Sequence, residues 1–378
     1  MRVLRSLLLL LLLFPSMPTW AAGLVKVRLG VVLPLKESSH RGTKMVEFYQ
    51  GILMAVDSIR HDGLDIEVLA MHSGSSAADM DSLLATNSLK GCDVVFGPLD
   101  AAQLPALSDY CDIHQLRLVV PFSSSAQHVI GHPLYYQVCE TQGDVQSAAS
   151  QELAQTFGNC NYVFVTSGDG NYEGESFVKR MKDQLANKGV TGHQINLTDN
   201  DETYEQTLSE PTPNIVVIDA PSLKAINLLL PKLEQYQRQH PNSGITLLGY
   251  PDWQTYTSKR LTDFFAFNTY IYTSFYRHPL EDRITSFERQ YMRWFGQPML
   301  QTYPRYAMMG FDLGYYFLRG LQIFGNELEE RHAEVPNYPL QHRVRFERTA
   351  TNSGFVNRNV QLVHFTKQHN IETITVKP

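Results

Sequence analysis

Hydroxyls and carboxylates gathered at the ends of buried strands are the chemistry-bearing residues that stand out in this sequence. Ser123-Ser124-Ser125 follows the apolar stretch Arg117 to Pro121, and Asp100 closes the turn Gly97-Pro98-Leu99-Asp100 after Asp93 to Phe96. Three hydroxyls with their amides can hold a carboxylate or a sugar oxygen, or they can cap the segment that follows. Asp100 precedes a helical pattern, so its carboxylate reads first as an N-cap and second as a ligand contact. No catalytic constellation accompanies them. The histidines are scattered with no HExxH, no GxSxG elbow occurs, and Ser167-Gly168-Asp169-Gly170 lacks the spacing and the lysine of a phosphate loop. The expectation is a protein that is not an enzyme and uses no cofactor.

The four cysteines, Cys92, Cys111, Cys139 and Cys160, show no metal-ligand spacing, so no metal site is expected. Cys92 enters a strand and Cys111 leaves the next helix at the same sheet edge, which makes them the expected disulfide. Cys139 and Cys160 are separated by a helical stretch and read as buried thiols.

The elements that position the hydroxyls follow from periodicity. Asp93 to Phe96 and Arg117 to Pro121 are short, β-branched and almost free of charge, as strands buried on both faces of a parallel sheet are. Leu104, Leu107 and Tyr110 between them lie at helical spacing, so the unit is strand, helix, strand. The same alternation runs from Val27 to Cys139 and starts again from about Gln142, through strands at 162–166, 214–218 and 245–248. The class is therefore α/β with doubly wound parallel sheets, whose ligands bind outside the carboxyl ends of the strands. Phe267 to Tyr276 reads as a long strand, followed by helices at 283–295 and 304–325 and by short terminal strands. That ending implies a chain passing between lobes more than once.

With 378 residues, 43% hydrophobic and 19% charged, the chain is long enough for two lobes. Arg2 and Arg5, the run Leu7 to Phe14 and the exit Thr19-Trp20-Ala21-Ala22 read as a signal peptide spanning 1–21. The mature chain, with no stretch apolar enough for a membrane span, is expected to be periplasmic or otherwise exported. Loss of the two arginines takes the formal charge from −6 to −8, which argues against a nucleic-acid partner.

The order of elements, together with FYQGILMAVDSI, VVFGPLDAAQLPAL, VVPFSSSAQ, GYPDW and NSGFVNRNVQLVHF, resembles the type I periplasmic binding protein family. The likeness is to its branched-chain amino-acid receptor branch, and to the type I domain that follows LysM repeats in some envelope proteins. The resemblance implies two lobes joined by three crossovers, lobe one at 24–140 and 276–330 and lobe two at 141–275 and 331–378. A ligand would be clamped between facing strand ends. Carried across by position, Ser123 and Ser124 match the family's carboxylate site, and Asp100 or Ala101 matches the first contact after the Gly-Pro turn. In lobe two the resemblance implies Tyr172 and Asp219. The acid for the ligand's ammonium would fall at Pro251, with Asp252 one residue on. The expected function is an exported solute-binding protein for a small polar ligand, an amino acid or a related compound, delivered to an ABC permease. The alternative is an envelope interaction module for peptidoglycan or a peptidoglycan-associated protein.

Overall fold

The computed structural model describes residues 25–125 and 129–377, so the signal peptide expected at 1–21 lies outside the described residues. The chain opens with β1 (Val25–Leu33), α1 (His40–Arg60), β2 (Leu64–His72), α2 (Ala77–Leu84), β3 (Val94–Phe96), α3 (Leu104–Ile113), β4 (Arg117–Val120) and β5 (Tyr135–Gln137). All five strands are parallel, in the order β2-β1-β3-β4-β5. β3 and β4 are buried throughout, the burial their unbroken apolar runs call for.

The second half repeats the design. α4 (Gln142–Phe157), β6 (Asn161–Thr166), α5 (Tyr172–Ala186), β7 (His193–Asn196), α6 (Asp201–Thr207), β8 (Asn214–Ile218), α7 (Leu223–Gln239), β9 (Ile245–Gly249), α8 (Thr257–Ala266) and β10 (Tyr270–Thr273) build a sheet in the order β7-β6-β8-β9-β10. β7, α6 and α8 carry no clear periodic signal. Only Ile195 of β7 is buried, as befits an edge strand. The long strand expected over 267–276 is four residues, because the chain leaves the sheet at Ser274 to cross back.

The return path carries α9 (Asp282–Phe295), α10 (Tyr306–Phe324), α11 (Leu328–Arg331), β11 (Phe346–Arg348), β12 (Phe355–Asn357), β13 (Gln361–Phe365) and β14 (Ile371–Thr375). β12 pairs parallel with β5, and β13 pairs antiparallel with β10. Both sheets therefore have seven strands, and the third crossing falls between Asn357 and Gln361. The boundary expected at 330/331 is corrected to this point: β11 and β12 complete the first sheet. Short aromatic strands do not announce which edge they join, since pairing is decided by the partner edge and not by local pattern. Asn357 and Asn359, both fully buried, fasten the crossings to one another. The Asn357 side chain donates to Val138 O at 3.1 Å and the Asn359 side chain to Ser274 O at 3.1 Å.

The expected Cys92–Cys111 disulfide is not formed; all four cysteines are free thiols. Both members lie in one apolar cluster beneath α3. Burial pushes the Cys92 thiol up to about 11 and Cys111 further still, which keeps both in the unreactive thiol form.

α1 and α10 pack backbone to backbone in the first lobe. A Cβ on Gly51 would meet Ala307 O at 1.9 Å, and one on Gly310 would meet Phe48 O at 2.0 Å. Glu47 of α1 reaches the same contact, accepting the N–H of Leu300 at 2.8 Å and of Ala307 at 3.3 Å, an acid at the amino end of α10. Gly310→Ala must push the helices apart and is expected to destabilise the protein by about 3 kcal/mol or more. Gly314→Ala, whose Cβ would meet the Ala55 Cβ at 3.2 Å, is expected to have a much smaller effect. Urea denaturation of the two variants checks this, and equal losses would contradict it.

Candidate functional site

In the first sheet the strand order reverses between β1 and β3, the place where helix amino-termini open toward the carboxyl edge. α1 starts there. The Ser39 hydroxyl accepts the Gly42 N–H at 3.1 Å, and His40, Arg41 and Lys44 occupy the first turn and its edge, where no acidic residue is present. Cations at a helix amino-terminus oppose its dipole, and dipole and side chains together favour an anion.

These residues line a cavity of about 870 Å³. Its walls come from the turns after β1, β3, β4 and β5, from the start of α10, and from the crossing segments. Asp100 is in the wall and forms an ion pair with Arg41. It makes no side-chain cap bond, so the N-cap expectation is corrected: the guanidinium one loop away takes the carboxylate instead. Lys44 Nζ lies 5.6 Å from the centre of the Tyr306 ring, and among the described residues it has no carboxylate partner. Phe122 packs edge-on against Phe48 at 5.0 Å and leans toward Tyr306 at 6.1 Å; with Leu99, Phe275 and Met309 it forms the apolar part of the wall.

Glu140 brings an acid to the same cavity, at the first crossing. Burial pushes its carboxyl well up, against the Ser274 side chain and the charges of Arg358 and Arg345, and Oε1 has no hydrogen-bond partner. Cys139 beside it donates to Pro121 O at 3.0 Å, its thiol pushed up to about 12 by burial.

Of the sequence-derived candidates, Asp100 lines this cavity. Ala101 opens an exposed 3-10 turn behind it. Ser123, Ser124 and Ser125 follow Phe122 but turn among themselves, with Ser123 Oγ accepting the Ser125 N–H at 3.3 Å. In the second lobe Tyr172 is the first residue of α5. Asp219 ties the ends of β6 and β8 together by accepting the Ser167 N–H at 2.7 Å, and Asp252 is exposed in a 3-10 turn after β9. All three stand at the carboxyl edge of their sheet, and Asp219 and Asp252 are not part of the cavity wall. Lys44, Glu140, Tyr306 and His342 are the residues that sequence reasoning missed. One signal was legible, the cation-rich start Ser39-His40-Arg41 of an otherwise well-formed helix.

No known family model matches the sequence, and no curated protein matches it. Solved structures do. A Rhodospirillum rubrum protein assigned to branched-chain amino acid ABC transport is 12% identical with a TM-score of 0.63, over 93% of this chain and 100% of that one. A branched-chain amino acid ABC transporter periplasmic ligand-binding protein from Burkholderia xenovorans is 12% identical with a TM-score of 0.53, covering 93% and 96%. An ABC transporter substrate-binding protein from Sphaerobacter thermophilus is 16% identical with a TM-score of 0.51, covering 93% and 97%. The architecture is that of the type I periplasmic binding protein fold, two doubly wound α/β lobes joined by three crossovers. No described helix is long and apolar enough to cross a membrane. The expected peptidoglycan-associated partner finds no support among these likenesses.

Two buried groups under the cavity titrate in opposite senses. His342 lines the wall, neither ring nitrogen has a partner, and burial pulls it down to about 4. Asp312 accepts the N–H groups of Leu340, Gln341 and His342 at 2.7 to 2.9 Å. Burial nevertheless pushes it up to about 7, against those donors and Arg283. An unfolded histidine titrates near 6.5, so between there and about 4 only the unfolded chain takes the proton, and His342 weakens the fold as pH falls. Asp312 takes its proton first in the folded state, so from about 7 downward it strengthens the fold. The two oppose each other, His342 worth roughly 3 kcal/mol and Asp312 roughly 4 kcal/mol over their windows. His342→Gln is expected to gain stability on acidification relative to the parent and Asp312→Asn to lose it. Urea denaturation across this range tests the pair, and parallel slopes in all three proteins would refute the assignment.

Proposed function

We propose that this chain is a solute-binding protein that holds a small zwitterion, an amino acid or a close relative, in the cavity at the carboxyl edge of the first sheet. The observation that carries the reading is the juxtaposition in one wall of a cationic helix start and an acid. Lys44 and the first turn of α1 would take a carboxylate, and Glu140, whose carboxyl burial favours in the neutral form, would give up its proton to take an ammonium. Phe122, Phe275, Tyr306 and Met309 would cover an apolar side chain. Among the fold neighbours, ABC transport proteins for branched-chain amino acids support the same class of ligand. In this reading Glu140 does the work that the resemblance places near Pro251 and Asp252. Closure of the lobes would add second-lobe contacts to a ligand held by the first lobe and the crossings, and an ABC permease is the recipient.

Calorimetric titration with the apolar amino acids, their desamino acids and short peptides tests the reading. Lys44→Ala is expected to weaken every carboxylate ligand at least about ten-fold, the loss of one charge-assisted contact of roughly 1.4 kcal/mol or more. Glu140→Gln is expected to weaken the amino acids and spare the desamino acids. Silence from the folded parent protein across all of these ligands would overturn the proposal.

A further inference from the structure

A second cavity, of about 810 Å³, lies between α9 and the loop that leads into α10, away from the strand ends. Four guanidinium groups meet in its wall: Arg289 and Arg293 one turn apart on α9, Arg277 from the second crossing, and Arg305 at the start of α10. Glu288 is the one carboxylate there, paired with Arg277 at 3.3 Å. The wall therefore carries a surplus of three positive charges on a chain whose formal charge is −6. Like charges four residues apart weaken a helix by a few tenths of a kcal/mol; Arg293, in the last turn of α9, is favoured there by the dipole, whereas Arg289 has no such reason to stand beside it.

Arg305 is held in place from within, bonded to Leu300 O and to Gln301 Oε1, the latter at 2.6 Å. Burial, and then the charge of Arg277, make its proton easier to lose than usual, against the charges of Glu288 and Glu47. Among the described residues Arg289 has one weak side-chain partner, Ser286 Oγ at 3.3 Å, and Arg293 has none. Guanidinium forks match the oxygens of phosphates and carboxylates in pairs, and four of them around one concavity suit an anion with several oxygens. The buried Met299 gives the wall an apolar floor, where such pairs are screened less than at an open surface.

We infer that this cavity is a second binding site, separate from the cavity at the strand ends, for a small multivalent oxyanion: a phosphate ester or a di- or tricarboxylate. The inference is independent of the proposed function, since no residue of the second wall lines the first cavity.

The test is calorimetric titration of the full mature chain with pyrophosphate and citrate, with acetate as the monovalent control. Pyrophosphate, citrate or both are expected to bind at least ten-fold more tightly than acetate, and which of them binds separates phosphate from carboxylate chemistry. Binding is expected to fall at least ten-fold in the double variant Arg289→Gln/Arg293→Gln, and to weaken when salt is raised to about 0.3 M. In Lys44→Ala it is expected to be unchanged. No binding of either probe, equal binding in the double variant, or loss in Lys44→Ala would each overturn the site. A response to polyglutamate with neither small anion bound would also overturn it, pointing to an acidic protein partner instead.

Discussion

The close packing of α1 on α10 is the constraint from which the first cavity follows. Glycines at 51 and 310 let the two backbones touch, and that contact sets the two helix starts side by side beneath the strand ends. One start brings His40, Arg41 and Lys44; the other brings Tyr306 and Met309. Neither set forms a site alone. Lys44 over the Tyr306 ring joins them across more than 250 residues of intervening chain, most of which builds the second lobe. Glu47 makes the arrangement one-sided, because its buried carboxylate holds the amides of Leu300 and Ala307 and so fixes where α10 begins.

The crossings add a second constraint. They are short, and two of the third crossing's side chains bond to backbone carbonyls of the other two: Asn357 to the first crossing and Asn359 to the second. The Tyr276 N–H donates to Gln341 O at 2.9 Å, bringing in the connection that carries His342. Glu140, Phe275 and His342 therefore reach the cavity from three parts of the chain bound as one unit. A change of angle between the lobes would move this unit as a block, with each lobe's core left intact.

The doubly wound class, both sheets and the βα order were legible because they rest on long apolar runs with a single reading. β3, β4, β8 and β9 are buried along their whole length and contain little else. The terminal strands were legible as strands and not as members of a sheet, since β12 and β13 are equally buried and differ only in the edge each meets. The site was legible at one point. Asp100 could be placed at a strand end from local pattern, but its partner Arg41 lies 59 residues away on a different turn. The serines after β4 advertise hydroxyl chemistry equally well whether they face a ligand or one another, and here Ser123 and Ser125 bond together. Burial of Glu140 depends on crossings that no window of sequence contains.

The placement of charge is informative in its own right. A chain with more acids than bases has no general shortage of carboxylates, yet among the described residues Lys44, Arg289, Arg293 and Arg305 form no ion pair, and Glu288 is the one carboxylate in the wall the three arginines share. One arginine in the core shows the opposite arrangement. Arg117, buried at the start of β4, is held by both oxygens of Glu329 at 2.7 and 2.8 Å, with the Tyr136 hydroxyl closing the group at 2.8 Å. Arg289 and Arg293 are exposed and Lys44 and Arg305 half-buried, so solvent carries part of their charge, and at a helix amino-terminus the dipole disfavours a further cation such as Lys44. The contrast between Arg117 and these cations lies in their surroundings: the paired arginine is in packed core, and the unpaired cations face cavities. An anion brought from outside is the partner that would make the charges in the cavities as well matched as those in the core.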